Sequence, residues 1–304
     1  MILDRLTRAF FEMSFELRYL KVRADEFQDF FASIMEKRYP ADFMKVRPWG
    51  NVGDRKNDGY LRSRRQLFQS YAPNQMKAAE CIAKIDEDFA GALPHWKEYF
   101  SEWILVHNSK EGLGPDVTAK LLALTKEHSP VQALAWGFEE LRQEAFRLTE
   151  ADLASLLGPA PTQDAILNLG VTDLQPVLDQ IAKLPPTADP DLRPVSPEKL
   201  SHNMLSSHVE TLLTAGMSRS DVVRRYFRAA TDQTVQDKIA AMFRQQYDKL
   251  RSENRSPDDI FAELQRFTGG PAVGPTSRQA AVLAVLAYFF QECDIFERPP
   301  EKTP

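Results

Sequence analysis

The sequence predicts two domains, an α/β domain over residues 1–150 and an all-α domain over residues 198–304. Helical and strand patterns alternate up to residue 147, which is typical of a sheet flanked by helices. From residue 198 onward only helical patterns occur. Residues 151–197 are rich in proline, and the run LPPTADPDLRPVSP at 184–197 predicts a connector. A length of 304 residues suits two domains of about 100–200 residues each.

The predicted elements of the first domain begin with a helix within residues 12–39 that ends at Pro40. Its apolar side chains recur at spacings of three and four: Phe27, Phe30, Phe31, Ile34 and Met35. Short β-prone runs at 43–49 and 65–71 enclose the turn-rich stretch GNVGDRKNDGYL and predict strands. Further strands are predicted at 103–107 and 131–136, and further helices at 74–91, from Pro115 onward and at 138–147. The second domain is predicted to contain helices at 198–214, 218–230, 232–251, 257–267 and 277–292.

Composition excludes several classes of protein. Lys and Arg number 38 against 43 Asp and Glu, so the net charge of −5 argues against a chain that coats nucleic acid over its whole surface. Cys81 and Cys293 are far apart and outside any Cys/His cluster, which argues against a disulfide framework and a structural zinc site. The longest apolar run, Ala280 to Phe290, is too short to cross a membrane and predicts a core helix, part of whose face is a candidate docking surface. The start MILDRLTR has no apolar signal core, so we expect a cytoplasmic protein without membrane contact.

One segment, residues 45–66, combines a basic field with two acids. It carries a local charge of +5, from seven basic residues and the acids Asp54 and Asp58: the basic residues are Lys45, Arg47, Arg55, Lys56, Arg62, Arg64 and Arg65. Basic side chains hold a phosphate backbone, and carboxylate oxygens hold Mg²⁺, which activates water and polarises a phosphoryl oxygen. The pattern therefore favours metal-dependent phosphodiester cleavage, with Arg55, Arg62, Arg64 and Arg65 as DNA contacts.

The order of three short motifs sharpens this hypothesis. A helix carries Phe27-Gln28, a turn carries Asp58-Gly59, and a predicted strand carries Phe68-Gln69-Ser70-Tyr71. This order resembles the PD-(D/E)xK nuclease superfamily, particularly its Mrr-like restriction branch, and implies a restriction-endonuclease-like mixed sheet flanked by helices. By this resemblance Asp58 binds the metal, Mg²⁺ or Mn²⁺, at the surface of the protein, and Gln69 is a second polar ligand.

The remaining positions of that motif depart from the family. Its lysine falls on Tyr71 and its helix glutamate falls on Gln28. Lys56 is the candidate replacement for the missing catalytic cation, and Lys77 of the next helix is the alternative. Glu26 is the candidate replacement for the missing acid, and Asp54 is an auxiliary metal-binding acid.

A second resemblance covers more of the chain. The stretches GDRKNDGY, LFQSYAP, WILVHNSKEGLGPDV and YFFQECDIFERP are similar to effector subunits of bacterial ABC-three-component (Lamassu-like) defence systems. The resemblance implies a metal-dependent DNA endonuclease effector in antiphage defence. It also implies an ABC/SMC-like ATPase and a small middle subunit as partners, which the helical domain docks, and it allows a homo-oligomer.

Other interpretations remain open at this point. Asp54 and Asp58 are common turn formers, the basic run is also typical of a solvated face, and Gln69 suits a buried structural amide. The departures at Gln28 and Tyr71 favour an alternative function, a catalytically inactive nuclease-fold subunit that binds DNA or partner proteins without cleavage.

Overall fold

A computed structural model of the chain describes residues 3–47, 55–182, 199–232, 234–269, 276–292 and 295–297. The chain divides into two compact units: an α/β unit of residues 15–156, and a helical unit of residues 1–14 and 157–304. The N-terminal half contains a mixed five-stranded sheet and the C-terminal half is mostly helical, as the sequence predicts.

The α/β unit is built on a single sheet with the strands in sequence order. Strands β1, β2 and β3 form an antiparallel meander, and β3, β4 and β5 are parallel because the helices α3 and α4 return the chain between them. The parallel strands therefore end at one edge of the sheet, with Tyr71, His107 and Trp136 as their last residues. The elements up to the end of this unit are α1 (Arg5–Lys21), α2 (Ala24–Arg38), β1 (Phe43–Lys45), β2 (Gly59–Leu61), β3 (Gln66–Tyr71), α3 (Ala78–Trp96), β4 (Glu102–His107), α4 (Pro115–Glu127), β5 (Gln132–Trp136), α5 (Phe138–Ala145) and α6 (Glu150–Leu157).

Alternation along β3 directs its side chains to two different cores. Leu67 belongs to a buried cluster formed with α3 and α4, which includes Phe89 and Trp103. Phe68 points to the other face, where its ring lies 5.2 Å from that of Phe31 on α2 and 5.0 Å from that of Trp136. The sheet is thus covered on both faces, and only its strand ends and loops are left to carry a site.

The helix predicted within residues 12–39 is confirmed in its buried residues, but its boundaries in the structure are different. All five apolar residues predicted to face the core of α2 are buried. The helical stretch is two helices rather than one, because Ala24 adopts a φ of 44° and donates its N–H to Ala72 O at 2.9 Å. The predicted strand at 43–49 is shorter, since β1 ends at Lys45. Trp49 and the candidate acid Asp54 lie outside the described residues.

The helical unit is organised around its last long helix. Every side chain from Ala280 to Phe290 is at most 2% exposed. Gly216 permits the close approach of a neighbouring helix, since a Cβ atom there would lie 2.3 Å from Leu283 O. The helices are α7 (Gln163–Leu167), α8 (Val171–Ala182), α9 (Lys199–His202), α10 (Ser207–Met217), α11 (Ser220–Ala229), α12 (Val235–Ser252), α13 (Pro257–Phe267) and α14 (Thr276–Glu292).

Two expectations about this half of the chain change. The prediction of a docking surface on Ala280–Phe290 is wrong, because the whole run is buried. The prediction of a core helix there is confirmed. The helices α6, α7 and α8 lie where the sequence analysis expects a connector, and the run 184–197 lies outside the described residues. The domain boundaries that depend on this connector stay a prediction. In the part of the chain that the structure describes, no helix is long and apolar enough to cross a membrane.

Candidate functional site

Asp58 lies immediately before β2 and is only 5% exposed. Its N–H donates to Phe68 O at 2.9 Å, which joins the turn to β3. Its carboxylate accepts hydrogen bonds from Gln28 Nε2 to Oδ1 at 2.8 Å and from Ser70 N to Oδ2 at 2.6 Å. The expectation of a surface ligand is therefore wrong for Asp58, because the acid is buried and links α2 to β3.

Ser70 is the residue of β3 that contacts this carboxylate. Its Oγ is buried and has no hydrogen-bond partner among the described residues. Such an oxygen is costly to bury unless something else binds it. Ser70 is two residues from Phe68 along β3, so the two side chains lie on the same face of the sheet, the face that α2 covers and from which Gln28 also reaches Asp58.

Gln69 is buried and lies beside Asp58 in the strand pairing, since Gly59 pairs with Phe68. Its side chain lies on the same face of β3 as those of Leu67 and Tyr71, which contact the core formed by α3 and α4. Gln69 Oε1 has no hydrogen-bond partner in the described parts of the chain. The structure brings Gln69 next to Asp58 along the backbone but directs its amide away from the face on which Gln28 binds.

The oxygen atoms at this point suit a hard cation that is shared with a substrate. Mg²⁺ in phosphoryl-transfer sites is commonly held by one or two carboxylates, waters and substrate phosphates. Asp58 supplies one carboxylate and Ser70 one unpaired hydroxyl oxygen. No group of three or more His, Cys, Asp or Glu side chains converges within the described residues. Glu26 is exposed and lies two positions from Gln28, which directs it to a different side of α2, away from Asp58.

The replacement cation expected at Lys56 is directed elsewhere. Lys56 Nζ bonds to Glu87 and lies 3.2 Å from Asp88 Oδ1, both on α3. The hydrogen bond to Glu87 and the neighbouring charge of Asp88 raise the pKa of Lys56 above its usual value. Tyr71, at the family's lysine position, packs against the core under α3 and α4, and burial raises its pKa. Lys56 Nζ thus contacts acids of α3, and Tyr71 carries no positive charge.

The turn arginines, Arg62, Arg64 and Arg65, lie between β2 and β3 at the other end of these strands. Three strand residues lie between Asp58 and Arg62, so these two residues are about 13 Å apart along the strand. Each has a partner within the protein: Arg62 bonds to Ala41 O, Arg64 lies 3.8 Å from Glu144, and Arg65 donates to Glu98 O at 2.8 Å. Arg55 is exposed in the turn that precedes Asp58. The predicted DNA contacts therefore flank the acid rather than surround it.

Two further buried polar residues lie in this unit. Asp88 is fully buried, and its spacing from Cys81, Ile85 and Ala92 is that of a core-facing helical position, so an acid in that pattern is the signal that could have found it. His107 ends the apolar strand β4 and lines a cleft of about 480 Å³ at the carboxyl ends of β4 and β5. Its Nδ1 accepts a hydrogen bond from Ser109 N at 3.2 Å, and burial lowers its pKa to about 4.

Comparison with known proteins bears on the C-terminal part of the chain. Residues 172–297 match the family model for C-terminal domain 10 of the ABC-three component (ABC-3C) systems. No curated protein and no solved structure matches the chain. The C-terminal part of the chain is therefore similar to a domain of the ABC-three-component systems.

Proposed function

We propose that this chain, whose C-terminal part matches a domain of the ABC-three-component systems, is an effector subunit of such a system in antiphage defence. In this proposal its α/β unit is a metal-dependent DNA endonuclease with Asp58 as the metal-binding acid. The helical unit docks the ATPase or the middle subunit.

The observation that carries the enzymatic part is the oxygen pair at the end of β3. A buried carboxylate, Asp58, is held by Ser70 N at 2.6 Å, and the hydroxyl oxygen of the same Ser70 is buried without a partner among the described residues. A cation bound here satisfies the charge of the acid and the orphaned oxygen together.

Each residue of the site has its own role in this proposal. Asp58 and Ser70 hold Mg²⁺ or Mn²⁺, and Gln28 fixes the orientation of the carboxylate through its 2.8 Å hydrogen bond. When bound, the cation polarises a phosphoryl oxygen and activates water. The turn arginines, about 13 Å away along the hairpin, contact phosphates that flank the scissile one.

The test is plasmid cleavage by the full chain with Mg²⁺ or Mn²⁺, with and without its partner subunits. We expect Asp58→Asn to reduce cleavage by at least about 100-fold, because one charged metal ligand is lost. The matched control is Asp173→Asn. Asp173 also accepts a main-chain hydrogen bond, from Gly170 N at 2.8 Å, but it belongs to the helical unit and should not affect cleavage. Cleavage by Asp58→Asn at the wild-type rate would remove Asp58 from the site.

A second candidate function has its own support. Both oxygens of Asp58 already accept hydrogen bonds, Lys56 is bound to α3, and Tyr71 occupies the lysine position of the motif. These contacts suit a nuclease-fold subunit that binds DNA or partner proteins without cutting. Salt-dependent DNA binding without cleavage, in the complete assembly and with either metal, would favour this function over the first.

A further inference from the structure

The turn that carries Asp58 is strained. Arg55 and Lys56 have φ values of 54° and 60°, in the left-handed region that residues other than glycine rarely adopt. Two such residues in succession persist only where the surrounding structure holds them. Asn57, which follows, is fully buried, and its Oδ1 accepts a hydrogen bond from Gly59 N at 2.9 Å. The path of the chain into Asp58 is therefore imposed by contacts beyond the local sequence.

The side chain of Lys56 supplies one such contact by lying along α3. Its Nζ bonds to Glu87 and lies 3.2 Å from Asp88 Oδ1, whose side chain is fully buried. Its aliphatic stem crosses the helix at Gly91, where a Cβ atom would lie 2.7 Å from Lys56 Cγ. Glycine in a helix interior is less favourable than alanine, so the bare backbone at Gly91 is explained by the room it leaves for this stem.

Charge balance alone does not explain the contact. Lys84, one turn earlier on α3, already lies 2.8 Å from the same oxygen of Asp88. Asp88 would therefore keep a cationic partner without Lys56. What Lys56 adds is a connection between α3 and the strained turn, two residues before Asp58.

We propose that Lys56 is a positioning residue, which Asp88, Glu87 and Gly91 seat on α3 so that the turn at residues 55–58 places the Asp58 carboxylate between Gln28 and Ser70. The assignment of a metal to that carboxylate rests on the proposed function. The contact between Lys56 and α3, and its effect on the turn, do not depend on the proposed function. In this role Lys56 acts through Asp58 and neither contacts phosphate nor supplies the missing lysine of the motif.

The test compares Lys56→Met and Gly91→Ala with Lys84→Met in the full chain. Lys84→Met is the matched control, because it removes one lysine from the same acid without touching the turn. We expect Lys56→Met and Gly91→Ala to speed hydrogen exchange at the amides of Asp58 and Gly59 by about tenfold or more, and Lys84→Met to leave it unchanged.

Cleavage and thermal unfolding separate positioning from a structural role. We expect Gly91→Ala to leave Tm unchanged or raise it by up to about 3 °C, since alanine favours helix, while the rate of plasmid cleavage with Mn²⁺ falls by about 100-fold. A merely structural contact would lower Tm and cleavage together. Lys56→Arg should restore most of the rate lost in Lys56→Met, because it keeps the charge and the stem.

The outcomes distinguish this proposal from the proposed function. Wild-type exchange at Asp58 and Gly59 in both Lys56→Met and Gly91→Ala would overturn the seating of the turn. Undiminished cleavage by both variants, alongside loss of cleavage in Asp58→Asn, would overturn the positioning role and leave the nuclease intact. If both variants exchange faster and the wild-type assembly cuts no DNA, the contact of Lys56 with α3 positions the turn, but the α/β unit is not a nuclease.

Discussion

The burial of Asp58 leads to a stability prediction that separates two substitutions of the same acid. Asp58→Ala removes the acceptor for Gln28 Nε2 and for Ser70 N, at 2.8 and 2.6 Å in the native fold. Hydrogen bonds to a charged group contribute about 1.5–3 kcal/mol each. Gln28 is only half-buried and can turn to water, whereas Ser70 N–H is fixed in β3. We therefore expect Asp58→Ala to lower the free energy of unfolding by about 2–4 kcal/mol.

Asp58→Asn should cost less, about 1 kcal/mol, although it removes the same charge. Asparagine Oδ1 accepts from Ser70 N, and its Nδ2 donates to Gln28 once the Gln28 amide rotates by 180°. Urea unfolding followed by circular dichroism measures both variants. A double-mutant cycle with Gln28→Ala should give a coupling of about 1–2 kcal/mol between Gln28 and Asp58. An Asp58→Ala variant as stable as wild type would refute the reasoning, because it would place the carboxylate in solvent.

Three further predictions use other parts of the molecule. Replacing the turn arginines by alanine should reduce the slope of log K for DNA against log salt by about 0.9 for each guanidinium that contacts a phosphate; an unchanged slope would leave them as turn-stabilising residues. Burial holds the pKa of His107 at about 4, below its ordinary value, so the fold disfavours its protonation. Stability should be full above about pH 6.5 and fall by about 3 kcal/mol as the pH drops towards 4, and pH-dependent unfolding of His107→Gln should lack this component. Gly216→Ala would collide with Leu283 O and should destabilise the helical unit by about 1–3 kcal/mol in thermal unfolding, whereas Gly170→Ala, with no atom closer than 3.6 Å, should be tolerated.

The elements that the sequence predicts well are those whose signal is local. The burial of Phe27, Phe30 and Phe31 follows from their spacing along one helix, and the bounds of α13, Pro257–Phe267, follow from the Ser256 cap and the proline after it. The division between α1 and α2 was not predictable in this way. It depends on the bond from Ala24 N to Ala72 O, which joins residues almost fifty positions apart.

The candidate site shows the same limit. The Asp58 turn and the strand that carries Gln69 are visible in the sequence as a turn signal and a β-prone run. The contact from Ser70 N to the carboxylate depends on the register of β2 against β3, and the burial of the Gln69 side chain depends on the helices that cover its face of the sheet. Similarly, Lys56 reaches α3 only because the turn adopts left-handed backbone angles that its residue types do not favour.

Electrostatic pairing alters the meaning of the basic segment at 45–66. Five of its seven cations lie within 4 Å of an acid from outside the segment: Lys45 and Arg47 at Asp29, Lys56 at Glu87 and Asp88, Arg62 at Asp42, and Arg64 at Glu144. The local charge of +5 is therefore largely neutralised in the fold, and a phosphate backbone must compete with carboxylates for these side chains. DNA affinity of the isolated chain should be correspondingly weak. In the proposed effector, the partner subunits therefore bind the DNA and bring it to this chain. Cleavage by the complete assembly should exceed cleavage by the chain alone at equal metal concentration.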